Sequence, residues 1–354
     1  APYRGVYISH ERSEGSDPMW YWPSRHDPGP PTLLDAVSET IEIGERSGAV
    51  VVASHIKAKG AHYWGSSLAA EQLIEAARAR GVEVYADQYP YATSGSDGST
   101  VLIPDWVYDD VRDDDDDDER PDYAAALRVA LADPATAADV RRDIAHEIRR
   151  RGGAANVVVF EYPEESAIGQ SVAELAAARG VDPVDMAIAL QLEGDPNRRG
   201  GGRLRGFSMS ELDLDVYAAQ PWTVTASDAG IALPDDGPVH ARYYGTFPRK
   251  IRHFALDRDV IALAHAVRSM TSLPAQVMGF EERGLIEPGY LADIAVLDLE
   301  RLRDTATFFE PHQYAQGVVC VFVNGHAVVE DGELTWALPG TVLGTGGRRL
   351  EVSR

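Results

Sequence analysis

The chain has 354 residues, 56 acidic against 33 basic side chains, a net charge of −23 and one cysteine. That balance argues against a nucleic-acid partner, because no basic surplus exists to neutralise phosphates, and a single cysteine excludes an internal disulfide framework or a Cys-rich zinc module. No stretch approaches the ~18 to 20 apolar residues that span a bilayer, whereas 44% hydrophobic residues suffice to fill one large domain or two ordinary ones.

The first residues carry no basic segment followed by an apolar run, so no signal peptide is visible in the sequence. A short β-branched and aromatic run, Gly5 to His10, predicts a buried strand ending in a histidine. A Pro- and Trp-rich loop follows from Arg12 to Pro31. Thr32 is placed to cap a helix running to Gly48, with Leu33, Leu34, Val37, Ile41 and Ile43 on its apolar side. Ala49 to His55 predicts a second strand, again ending in a histidine. A helix opens at Ser66 or Ser67 and runs to Gly81, and Val82 to Asp87 predicts a third strand. Continuous apolar strands separated by helices indicate parallel strands covered on both faces, hence an α/β fold.

Between Ser94 and about Leu214 the pattern loosens. Asp109 to Arg120 holds nine acids and two arginines and reads as a solvated loop rather than a calcium site, which needs spaced oxygens and a turn glycine. Helices are expected over roughly 122–151 and 171–194, and a glycine-arginine loop over Arg198 to Gly206. Trp222 to Asp228 predicts a fourth strand ending in an acid. A helix is expected over about 258–270. Past Pro288 the pattern becomes β: Ala292 to Leu297, Val318 to Val323, the turn Asn324-Gly325 and Ala327 to Glu330. Cys320 lies inside one of these strands and reads as a buried structural thiol.

Three strands thus end in His10, His55 and Asp228. In a β/α barrel, strand C-termini converge on the active site from distant sequence positions. Two imidazoles and a carboxylate suit zinc, or the carboxylate serves as a base beside it. Lys57, two residues past His55, returns to the same face of an extended chain; it either binds a substrate carboxylate or is a solvated loop lysine.

An ordered series of motifs identifies a resemblance. Ser54-His55-Ile56-Lys57, Asp87-Gln88-Tyr89-Pro90-Tyr91, Ser227-Asp228, Tyr244-Gly245-Thr246-Phe247-Pro248-Arg249 and Met270-Thr271-Ser272-Leu273-Pro274-Ala275 belong to it. Arg283 to Asp293, Pro311-His312-Gln313-Tyr314 and Val323-Asn324-Gly325 continue it in order. The chain resembles the N-acyl-D-amino-acid deacylase (D-aminoacylase) branch of the amidohydrolase superfamily over nearly its whole length. The resemblance implies the C-terminal half of a metal-dependent (β/α)8 barrel, strands five to eight over residues 1–285 with an insertion at about 97–215. Residues 286–354 would be part of a small β-sandwich.

The resemblance further implies zinc-dependent hydrolysis of the amide bond of N-acyl amino acids, the D-form favoured. One zinc is expected to be tightly bound, with a second permitted. His10, His55 and Asp228 match the metal-binding residues, and Asp228 is the expected general base and then acid. Lys57 is supported as a substrate-carboxylate binder. Tyr89, Tyr91 and Ser96 follow the third strand and could line the pocket, and Arg242 and Tyr244 follow Asp228 in a loop. His240, in the same loop, either contacts substrate or caps the turn. His62, His146, His253, His265, His312 and His326 read as non-ligands.

The sequence departs from the family in two respects. The family's Ser-Asp-Gly is here Ser227-Asp228-Ala229, and the expected His-x-His and ligating cysteine are absent. The favoured expectation is a two-chain enzyme cut from a precursor, whose N-terminal chain brings the His-x-His and a cysteine, and the alternative is an incomplete sequence; a processed protein would be secreted, and otherwise cytoplasmic. The rival readings are a cyclic-amide hydrolase of the same superfamily and a non-catalytic structural subunit.

Overall fold

The computed structural model describes residues 5–95, 100–109 and 121–344. Ser96 and residues 110–120 of the acidic run lie outside the described residues. Four apolar runs form parallel strands: β1 (Val6–His10), β2 (Val50–Ser54), β3 (Val84–Gln88) and, after two strands of another sheet, β6 (Thr223–Thr225). Their spatial order is β1-β2-β3-β6. The register pairs His10 with Ser54 and Ala53 with Ala86, which brings the ends of β1, β2 and β3 to one rim.

Helix α1 (Leu33–Ser47) begins at Thr32, whose side chain and that of Asp35 form a reciprocal capping box. It ends at Gly48, whose left-handed φ of 65° suits a residue without a Cβ. Helix α2 (Ser67–Ala79) lies beside it. Val37, Ile41, Ala70 and Ile74 from the two helices share a core with Val51, Val52, Val84 and Trp222. Each fully buried aliphatic side chain contributes on the order of 1.5–3 kcal/mol relative to exposure.

The region between β3 and β6 has its own core. Helices α3 (Tyr123–Ala132) and α4 (Pro134–Arg150) replace the single helix expected over 122–151. Asp133 caps the second of them and Pro134 occupies its first turn, where a missing N–H costs nothing. Gly180, with φ 66°, separates α5 (Val172–Arg179) from α6 (Pro183–Glu193). A two-stranded antiparallel ribbon, β4 (Val157–Glu161) with β5 (Arg203–Gly206), takes in the end of the glycine-arginine segment expected to be loop. Its arginines hid the strand, yet Arg203 and Arg205 are both buried. Leu127, Val140, Ile144, Val157, Val159, Leu190 and Leu204 pack together here.

After α7 (Glu211–Ala219), β6 is shorter than expected: it stops at Thr225, and Asp228 lies in the following loop with φ 48°. The segment holding Arg242 and Tyr244 is not loop but helix α8 (Arg242–Arg249), despite its glycine and proline. Pro248 cannot donate to the helical ladder, and the chain continues as a π-helix over Lys250–Asp257. The helix expected over 258–270 is α9 (Leu263–Met270), followed by α10 (Ser272–Met278). A four-stranded antiparallel sheet closes the chain, ordered β10-β9-β8-β7. Its strands are β7 (Ile294–Leu297), β8 (Val318–Val323), β9 (His326–Glu330) and β10 (Glu333–Leu334). No residue of these strands is fully buried, so Cys320 is half-buried rather than enclosed.

Lys250, on the π-helix, is buried near Phe254, and burial pushes its ammonium down to about 7. A lysine whose folded pKa falls below its unfolded value costs the fold stability, and the cost shrinks with rising pH wherever the unfolded chain holds more protons. That penalty is complete below pH 7 and disappears as pH rises toward 10.5. Lys250→Met should therefore raise the melting temperature by a few degrees at pH 7, with the gain shrinking by pH 10. Thermal unfolding followed by circular dichroism at both pH values measures it.

Candidate metal centre

The parallel register places His10 and His55 on neighbouring strand ends. Their rings meet edge to face with centroids 4.4 Å apart. The His10 Nδ1–H donates to the Glu11 carbonyl at 2.8 Å, which leaves the Nε2 lone pair free toward the partner ring. Burial, reinforced by the Lys57 charge, pushes His55 down to about 3, so its imidazole stays neutral and able to bind a metal.

Glu14, unforeseen from the sequence, joins this pair. Its Oε1 lies 3.7 Å from His10 Nε2 and 3.7 Å from His55 Nδ1. Among the described residues, His10, Glu14 and His55 form the group of side chains close enough to share one metal ion. Two imidazoles and a carboxylate are a donor set that fits zinc. Asp228 is not in this group. Its Oδ2 forms an ion pair with Arg242 Nη1 at 2.7 Å, though its charge still reaches Lys57, Asp87 and Tyr89.

Lys57 is no solvated loop lysine: it is buried, and its Nζ donates to Glu14 Oε1 at 2.6 Å and to His55 Nδ1 at 2.7 Å. Lys59 Nζ donates to the other Glu14 oxygen at 3.0 Å. Burial opposes ionisation of Glu14, but the fields of Lys57 and Lys59 together hold its carboxyl well below the usual range. Burial lowers Lys59 to about 8 even with Glu14 beside it. Gly15 lets the two segments approach, since a Cβ there would meet the Lys59 carbonyl oxygen at 2.4 Å. The alternation His55-x-Lys57-x-Lys59 held a signal for both lysines, whereas no periodicity marks Glu14.

The Tyr89 ring is close to two cations, 5.5 Å from Lys57 Nζ and 4.6 Å from the Arg242 guanidinium carbon. Its hydroxyl is buried without a hydrogen-bond partner among the described residues. Tyr91 packs instead against His240, Phe308 and Arg249. His240 is wholly buried, accepts the Arg242 backbone N–H through Nδ1 and donates from Nε2 to the Thr93 carbonyl; it caps the turn into α8. The Tyr244 hydroxyl donates to the Ala232 carbonyl and meets His312 Nδ1 at 3.1 Å, contacts that lie apart from the metal-ligand group. The remaining histidines are outside that group too, and so is Cys320, paired with Val296 across the antiparallel sheet.

Removing one member of a buried ion cluster strands its partners and costs about 3–5 kcal/mol. Glu14→Ala should lower the melting temperature by roughly ten degrees at pH 7, and Lys59→Met by less, because Glu14 keeps Lys57. Calorimetry of the two variants tests that order.

The pattern described as "Amidohydrolase family" matches residues 122–329. D-aminoacylase of Alcaligenes xylosoxydans xylosoxydans is 31% identical over 339 residues, 96% of this chain and 54% of the relative. N-acyl-D-glutamate deacylase of the same organism is 31% identical over 323 residues, 91% of this chain and 51% of the relative. A crystal structure of D-aminoacylase aligns with a TM-score of 0.60 at 30% identity, covering 94% of this chain and 54% of that one. N-acyl-D-glutamate deacylase from Bordetella bronchiseptica, solved with zinc and a phosphonate inhibitor, aligns at 0.59 and 26% identity, covering 94% and 56%. The chain spans about half the length of the curated relatives it matches. With the family pattern matched over more than half its residues, this chain is a member of the amidohydrolase family, similar to its D-aminoacylases and N-acyl-D-amino-acid deacylases.

Proposed function

We propose that the chain supplies part of the metal centre, the proton-transfer carboxylate and the substrate-carboxylate site of a zinc-dependent hydrolase of N-acyl amino acids, with the D-form preferred. The observation that carries this reading is the His10–His55 pair on adjacent parallel strand ends, beside the buried cations Lys57 and Arg242. The names of the relatives, D-aminoacylase and deacylases of N-acyl-D-glutamate and N-acyl-D-aspartate, support the substrate class.

His10 and His55 would hold the zinc, with Glu14 in reach of both. Bound zinc supplies Lewis acidity that polarises the amide carbonyl and lowers the pKa of water. Asp228 takes the proton of the attacking water and passes it to the leaving amine nitrogen. For this it has to release Arg242, which an incoming substrate carboxylate draws away as a competing anion. Lys57 and the Tyr89 hydroxyl complete that anion site.

The same reading makes this chain one half of a two-chain enzyme processed from a secreted precursor. The N-terminal chain then brings the His-x-His and the cysteine ligand. Strand β1 supports it: among the described residues it pairs with β2 on one side alone, and its Tyr7 and Ile8 are exposed, which suits a further parallel strand on that edge. The closing antiparallel sheet, with no fully buried residue, offers a second surface for the same partner.

Zinc analysis of the purified protein should find about one ion per complex, and His55→Ala should lose the zinc together with at least 99% of hydrolysis. N-acetyl-D-methionine should be turned over in preference to the L-form; predominant L-turnover would overturn the D-preference. Denaturing electrophoresis with mass spectrometry should reveal a second chain, and an active monomer of this chain alone would refute the partner. Arg242→Ala should raise KM at least tenfold at unchanged zinc content, because it removes a carboxylate contact and not a ligand.

A further inference from the structure

The metal-ligand histidine of β2 stands on a backbone that its neighbour holds in place. His55 follows the last paired residue of β2 and has φ 40°, in the left-handed region that side chains other than glycine rarely adopt. In an extended strand, Ser54 and His55 would point to opposite faces. The left-handed turn resets that direction, and the His55 ring is directed at His10.

Asp87, one residue past the last β3 residue paired with β2, grips this turn from the adjacent strand. Its Oδ1 accepts the His55 backbone N–H at 2.7 Å. Its Oδ2 accepts the Ser54 hydroxyl at 3.0 Å, with Oδ1 at 3.3 Å from the same hydroxyl. Its own carbonyl accepts the Ile56 N–H at 2.9 Å. Three consecutive residues across the turn are therefore tied to one residue of β3. Asp87 is not among the side chains close enough to share a metal.

We propose that Asp87 is the positioning residue of the metal centre, its carboxylate fixing the left-handed turn that aims the His55 imidazole at His10. The inference rests on the reading of His55 as a metal ligand. A free His55 N–H would let the turn relax toward extended backbone, carrying the ring off its partner and weakening a ligand without altering its chemistry.

The test uses the full chain, with any partner that copurifies, and two readouts: zinc affinity by competition with a chromophoric chelator, and hydrogen exchange at the His55 amide. Asp87→Ala should weaken zinc binding at least tenfold and speed His55 exchange at least tenfold. Asp87→Asn, which keeps an acceptor oxygen for the N–H, should stay within about threefold of wild type in both. Should the alanine variant fail to fold, Ser54→Ala, which removes one restraint on the carboxylate, should speed His55 exchange by a smaller factor. Unchanged His55 exchange in the folded Asp87→Ala or Ser54→Ala protein overturns the proposal. So does an asparagine variant as weak as the alanine one, since charge rather than the hydrogen bond would then be at work. Wild-type protein that binds no zinc would refute the metal reading instead, while the exchange rates still decide whether Asp87 holds the turn.

Discussion

One buried carboxylate organises the rim of the parallel sheet. Glu14, carried by the loop after β1, is shared between Lys57 and Lys59, carried by the segment after β2. Burying three charges is unfavourable unless they satisfy one another, so the two segments are locked in the one arrangement that pairs them. That arrangement sets His10 beside His55. Close approach of Gly15 to Lys59 and the Lys59 N–H donated to the Glu14 carbonyl reinforce the lock through the backbone.

The charge balance of this cluster also bears on what the site attracts. Over the whole chain, acids outnumber bases by 23. At the rim the charges pair off: two lysines share Glu14, the histidine beside them is neutral, Arg242 is offset by Asp228, and Asp87 adds a further carboxylate within the field of Lys57. Buried cations gathered at one spot of an acidic protein can take a small anion by exchanging one carboxylate partner for another, while the surrounding acidic surface repels polyanions. Tyr89, with two cations near its ring and a hydroxyl that has no hydrogen-bond partner among the described residues, lies beside them.

The parallel sheet is a partial enclosure. Strands β2 and β3 are flanked on both sides, but β1 and β6 each pair on one side among the described residues. The insertion between β3 and β6 contributes a separate core and reaches back to the loop after β1, where Ser24 and Trp106 both donate to Asp143. The long loop over the rim is thereby fastened to α4 rather than left to wander across the site.

Much of this was legible in the sequence, and where it was not the cause is specific. The apolar runs of β1, β2 and β3, the Thr32 cap and the histidines at two strand ends follow from local rules: side-chain alternation, capping chemistry and β-branched composition. Helix α8 was not legible, because Gly245 and Pro248 read as loop while Gly245 in fact admits the Tyr91 hydroxyl, which a Cβ would meet at 2.3 Å. Strand β5 was hidden because its buried arginines break the apolar pattern. The sequence by itself determined which residues bear the chemistry, since imidazoles, ammonium groups and carboxylates are properties of side chains. Only the tertiary structure decided how they pair: Glu14 with two lysines, Asp228 with Arg242, and Asp87 with the His55 backbone. Lys57 and Lys59 lie 43 and 45 residues from Glu14, and Asp87 lies 32 from His55, while Asp228 reaches Arg242 across a loop; it takes the parallel register and the desolvation of buried charges to bring them together.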